Sequence, residues 1–69
     1  MTEREWTLKL ARERFERNVP VLAPRQFQID TLSEIQQVMR FDNSIYADLL
    51  LILGICKTKK EARRLADEG

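Results

Sequence analysis

Asp42-Asn43-Ser44-Ile45-Tyr46-Ala47-Asp48-Leu49-Leu50-Leu51-Ile52-Leu53-Gly54 holds the longest apolar run of the chain between two sets of helix-boundary residues. Asp42, Asn43 and Ser44 carry the side-chain oxygens that cap a helix start, and Gly54 suits the left-handed residue that ends one. The run Leu49 to Leu53 also fits a short buried strand. Leucine outnumbers β-branched residues in it, however, and cap and stop signals frame it, so Ile45 to Leu53 is predicted to be a helix. Because that helix is apolar nearly all round, it needs neighbours on nearly every side. It is predicted to be the central helix of an all-α bundle.

Downstream, Thr58 precedes Glu61 by three positions, a capping-box spacing that opens a last helix with Ala62, Leu65 and Ala66 on its inward stripe. Upstream, Thr31 and Glu34 repeat the spacing and start a helix running to about Phe41, with Leu32, Ile35, Val38 and Met39 on one stripe. Residues 18–27 hold Pro20 and Pro24 around Val21, Leu22 and Ala23; this spacing forbids helix and favours an ordered, extended connection. Thr2 and Glu5 open a first helix from about Glu3 to Arg17, with Glu5 facing Lys9 and Glu13 facing Arg17 one turn on. On it Leu8, Ala11 and Phe15 share one face, while Trp6 and Leu10 fall on nearly the opposite one. The expected architecture is a single domain over 1–69, a compact bundle of four short helices with a proline-containing extended connection after the first.

At 69 residues there is room for one modest core, which supplies roughly 3–5 kcal/mol, and folds of this size often lean on a disulfide, a metal or a partner. The only cysteine is Cys56 and there is no histidine, so neither an internal disulfide nor a usual zinc ligand set is at hand. Self-association, a homodimer, is the remaining external stabiliser. Twelve basic against eleven acidic residues give no global field toward nucleic acid or an anionic membrane, so such a partner must be met by a local patch. The longest apolar run is far too short to span a bilayer, the N-terminus is polar and charged, and a lone thiol fits a reducing compartment. No membrane association and a cytoplasmic location are expected.

General-base, nucleophilic and metal mechanisms need histidine, paired cysteines or clustered carboxylates within reach of one another, and the inventory holds no such set. Cys56 has Lys57 and Lys59 nearby, but it reads as a small buried hydrophobe after the Gly54 turn. There is no glycine-rich phosphate loop. A non-enzymatic protein without a cofactor is expected.

One local patch stands out. Lys57, Lys59, Lys60, Arg63 and Arg64 place five cations within eight residues, with only Glu61 opposing them inside that stretch. On a helical wheel Lys60, Arg63 and Arg64 lie within about 100° of one another, opposite Ala62, Leu65 and Ala66, which is an arrangement suited to phosphate contact. The free N–H groups of a helix starting at Thr58 add to anion binding beside Lys57 and Lys59. As the recognition helix of a helix-turn-helix the segment is out of register, because the positions to be buried after Gly54 fall near Lys60 and Arg63.

Residues 47–69, ADLLLILGICKTKKEARRLADEG, resemble the helical hairpin that opens the S4 RNA-binding domain of a small-subunit ribosomal protein, pseudouridine synthases and bacterial tyrosyl-tRNA synthetases. The corresponding features are the apolar Leu49 to Leu53, Gly54, Thr58 before Lys59-Lys60, the Glu61-Ala62-Arg63-Arg64-Leu65 helix and the closing Gly69. The resemblance implies RNA contact by Lys57, Lys59, Lys60, Arg63 and Arg64. It covers the last third of the chain, and the strand-rich part that follows this hairpin in the family has no counterpart before the sequence ends. The function expected first is therefore a nucleic-acid-binding accessory module, RNA before DNA. The alternative is a protein-binding adaptor or inhibitor of the small bacterial or phage kind, acting through the apolar face of Trp6 and Leu10, since tryptophan is a frequent interface hot spot. Trp6 reads more readily as a cap on the core, packed on the Pro20-to-Pro24 connection.

Overall fold

The computed structural model describes residues 2–68. Four helices follow in order, α1 (Glu3–Asn18), α2 (Arg25–Met39), α3 (Asn43–Ile52) and α4 (Lys59–Glu68), and no strand occurs among the described residues. The all-α bundle is the fold.

Local capping explains most of the boundaries. Thr2 Oγ1 accepts from Glu5 N–H (3.2 Å), Asp42 Oδ1 from Ile45 N–H (3.0 Å) and Thr58 Oγ1 from Glu61 N–H (3.2 Å), so α1, α3 and α4 each begin on a side-chain oxygen. The end of α3 is a Schellman turn: Ile55 N–H donates to Leu50 C=O (3.0 Å) and Gly54 N–H to Leu51 C=O (3.1 Å), with Gly54 at φ +76°. Ile55 and Leu50 are both buried, which supplies the apolar contact that accompanies this motif.

The second helix departs from expectation. It begins at Arg25 instead of Thr31, with Pro24 (φ −58°, ψ 150°) as its N-cap, a position whose N–H has no partner within the helix, so that proline's missing donor costs nothing there. Pro24 C=O accepts from Gln28 N–H (3.1 Å), and the Gln28 amide reaches back to Ala23 C=O (3.0 Å). Thr31 and Glu34 are thus interior helix positions, and their capping-box spacing is not used as a start. The helix stops at Met39, one turn of chain being reversed by Arg40 in the left-handed region (φ 57°). Gln36 then ties α2 to the start of α3, donating to Phe41 C=O (3.2 Å) and Asn43 Oδ1 (3.0 Å).

The proline-containing connection after α1 is correspondingly short, residues 19–24. Val19 is extended, and the chain then closes a tight turn in which Ala23 N–H donates to Pro20 C=O (3.1 Å). Val19 is buried and Ala23 half-buried, but Val21 and Leu22 at the tip are almost fully exposed, and the chain here is a tight turn where an extended connection was expected.

Helix α3 is the centre of the bundle, touching α1, α2 and, most extensively, α4. Leu32, Leu49 and Leu50 are its largest fully buried neighbours and members, each stabilising the fold by about 1.5–3 kcal/mol relative to an exposed leucine. Ala62 and Ala66 face α3 from α4, and such small side chains allow close helix approach. Two apolar helix positions expected inside, one on α3 and one on α2, are not. Ile52 is half-exposed at the last turn of α3, and Val38 is 64% exposed because it sits about 100° round the wheel from the middle of the Leu32, Ile35 and Met39 stripe. Of the two apolar faces of α1, that of Ala11 and Phe15 is buried, with Leu8 packed beside it. The ion pair along that helix is Arg12 with Glu16 (3.2 Å), not the Glu5–Lys9 or Glu13–Arg17 pairs of the sequence pattern.

Candidate nucleic-acid interface

The hairpin of α3 and α4 places the basic side chains. The Gly54 turn and the Thr58 cap set where α4 begins, and burial of Ala62, Leu65 and Ala66 sets its rotation. Lys57, Lys59, Lys60, Arg63 and Arg64 are all exposed in consequence. None of Lys57, Lys59, Lys60 or Arg63 is ion-paired among the described residues. Arg64 meets Glu68 one turn on at 3.6 Å, and both side chains are mostly in water, where such a pair is weak and easily exchanged for another anion.

Tertiary contacts change the charge of this face in ways the sequence did not disclose. Glu61, the one carboxylate inside the basic stretch, turns away to the start of α2 and accepts from Arg25 at 2.7 Å. That hydrogen bond is the main reason the Arg25 pKa is raised, with a longer contact to the Cys56 thiol (4.0 Å) adding to it. Arg4 of α1, ion-paired with Asp48 and donating to Ser44 Oγ (3.3 Å), joins Lys59 and Arg63 along a shallow groove where α1, α3 and α4 meet. Asp67 lines the same groove, and Asp48 is the second carboxylate there. Asp67 lies one turn from Arg63 on the wheel, beyond the eight residues that hold the five cations. The surface is therefore mixed in sign toward the groove, through Asp48 and Asp67, and carries Glu68 beside Arg64 on its outer side.

Cys56 is buried, in keeping with its reading as a core residue. Among the described residues no three histidine, cysteine, aspartate or glutamate side chains gather where they could hold a metal ion, and no helix is long and apolar enough to cross a membrane.

Trp6 and Leu10 occupy a different surface. Trp6 is 52% exposed, and the rise of α1 puts it roughly 20 Å from the Pro20 turn, so that connection does not cover it. The turn lies instead beside Arg12, Phe15, Glu16 and Ile52. Leu10 is half-buried in a shallow depression with Glu13, Arg14, Arg17 and Met39.

The fold is a small four-helix bundle with exposed cations clustered from Lys57 to Arg64 and separate exposed apolar positions. No protein-family model, curated protein or solved structure matches the chain.

Proposed function

We propose that this protein is a non-enzymatic nucleic-acid-binding accessory module acting in the cytoplasm, RNA before DNA, with Lys57, Lys59, Lys60, Arg63 and Arg64 as the contact residues. The observation that carries this reading is the joint exposure of these five cations on one hairpin, with the nearest carboxylate in sequence, Glu61, withdrawn to Arg25. The resemblance of this hairpin to the opening of the S4 domain favours RNA; its last element, Gly69, lies outside the described residues. Phosphate contact by a lysine or arginine releases condensed counterions, so affinity falls with salt in proportion to the phosphates met.

Fluorescence anisotropy of labelled single-stranded RNA, double-stranded RNA and DNA oligonucleotides tests it, at low and physiological salt. The comparison is between wild type, Lys60→Glu/Arg63→Glu/Arg64→Glu and the milder Lys60→Gln/Arg63→Gln/Arg64→Gln, with circular dichroism as the check on folding. Loss of three contacts lowers the slope of log affinity against log salt by about 2 for a single strand. Absence of binding by wild type, or binding undiminished in both folded variants, refutes the reading.

A protein-binding adaptor or inhibitor remains the second reading, favoured by the half-exposed Trp6 above Leu10. An interface built on that tryptophan survives moderate salt and is lost in Trp6→Ala, which separates it from the basic face in the same titrations.

A further inference from the structure

The α1/α2 side of the bundle carries a surface that the basic face does not use. On α2, Phe27, Thr31, Glu34 and Val38 recur at steps of four, three and four residues, so they fall within about 60° on a helical wheel. Phe27 is 46% exposed and Val38 is the exposed valine already noted. The stripe forms one wall of a shallow groove whose other wall is Arg14 and Asn18 of α1. Both Arg14 and Glu34 lack an ion-pair partner among the described residues.

The stripe has apolar ends and a polar middle, which makes it self-complementary in one orientation only. A second α2 laid antiparallel along it sets Phe27 against Val38 of the second copy and Thr31 against Glu34 of the second copy, and a two-fold axis repeats both contacts. Glu34 of each copy then lies against Thr31 of the other, in the groove that Arg14 also lines. A parallel arrangement sets Glu34 against Glu34, and like charges at that spacing repel. Slipping the antiparallel register by one turn moves a carboxylate onto Phe27 and leaves the apolar ends unmatched.

We propose that the protein self-associates as a two-fold dimer through antiparallel α2 helices, with Phe27 and Val38 as the apolar contacts and Arg14 with Glu34 of the second copy as the charge pair that sets the register. Isologous contacts of this kind are the commonest form of homo-oligomer. A three-turn helix contact covers less than the roughly 800 Å² per partner of a standard stable interface, so the dimer is concentration-dependent.

Sedimentation equilibrium over a dilution series tests this, using wild type, Val38→Glu, Arg14→Glu, Glu34→Arg, the Arg14→Glu/Glu34→Arg double variant and Leu22→Glu as a control at the other exposed apolar site. The expected result is a wild-type mass rising from one chain toward two with concentration. Val38→Glu stays at one chain with an unchanged helical circular dichroism spectrum, each single charge reversal weakens association, and the double variant recovers it. A wild type that remains monomeric at the highest concentration overturns the proposal. So does a Val38→Glu variant that dimerises like wild type, a double variant no better than the single ones, or association lost through Leu22→Glu.

Discussion

Replacing Gly54 with alanine isolates the backbone requirement of the turn on which the basic hairpin depends. Gly54 lies at φ +76°, and a Cβ built there meets nothing within 4 Å, so the substitution introduces no clash and its cost is purely conformational. An L-residue in the left-handed region costs about 1–2 kcal/mol, and alanine recovers about 0.4–1 kcal/mol of that by restricting the unfolded chain. The net expectation is a loss of about 1 kcal/mol, which lowers Tm by roughly 4–8 °C in a domain of this size. Thermal and urea unfolding followed by circular dichroism read it, with an unchanged urea m-value showing that the native fold is retained. Asparagine, which tolerates this region better, should lose less than alanine. A D-alanine at this position, accessible by synthesis in so short a chain, should stabilise, since its preferred φ is positive. Equal stability of glycine and L-alanine would refute the Schellman geometry, and a loss of several kcal/mol would show that the Cβ is in fact met by packed atoms.

The mirror-image case is Arg40, which pays the left-handed penalty at φ 57°; Arg40→Gly should raise stability by about 0.5–1 kcal/mol, seen as a higher Tm. Leu50→Ala at the fully buried centre of α3 should lose about 2–5 kcal/mol, comparable with the whole stability of so small a domain, so its circular dichroism at room temperature should report a largely unfolded chain. Burial, with smaller effects from Cys56 and Asp30, raises the Tyr46 phenol above its ordinary pKa. Because the folded value exceeds the unfolded one of about 10, the neutral phenol's contribution is complete below that pH and is lost as pH rises through the folded pKa. Urea midpoints should therefore fall more steeply above about pH 10 in wild type than in Tyr46→Phe; equal slopes would sink the assignment.

Features that close within a few residues are legible from the amino-acid order. Thr2, Asp42 and Thr58 cap helices whose N–H groups lie three positions on, and the Gly54 turn satisfies carbonyls of the preceding turn, so these boundaries are readable from spacing alone. The inward stripe of α4 follows for the same reason, since a helical period fixes which residues share a face and α4 offers only one apolar face. The α2 start escaped because two local signals competed, a proline able to begin a helix and a Thr31–Glu34 pair able to cap one, and only one start could be used.

Tertiary structure decided the matters that depend on residues far apart in the chain. Arg25 draws Glu61 away from the basic face across 36 positions of sequence, and Arg4 reaches Ser44 across 40, pairings that no periodicity encodes. Helix α1 has two apolar faces, and period alone cannot say which is covered; α3 and α2 bury Ala11 and Phe15 and leave Trp6 half in water. In the same way Val38 belongs to an apolar stripe by composition and to the surface by geometry, because a four-helix domain of this size has too few neighbours to cover every apolar side chain that its helices present.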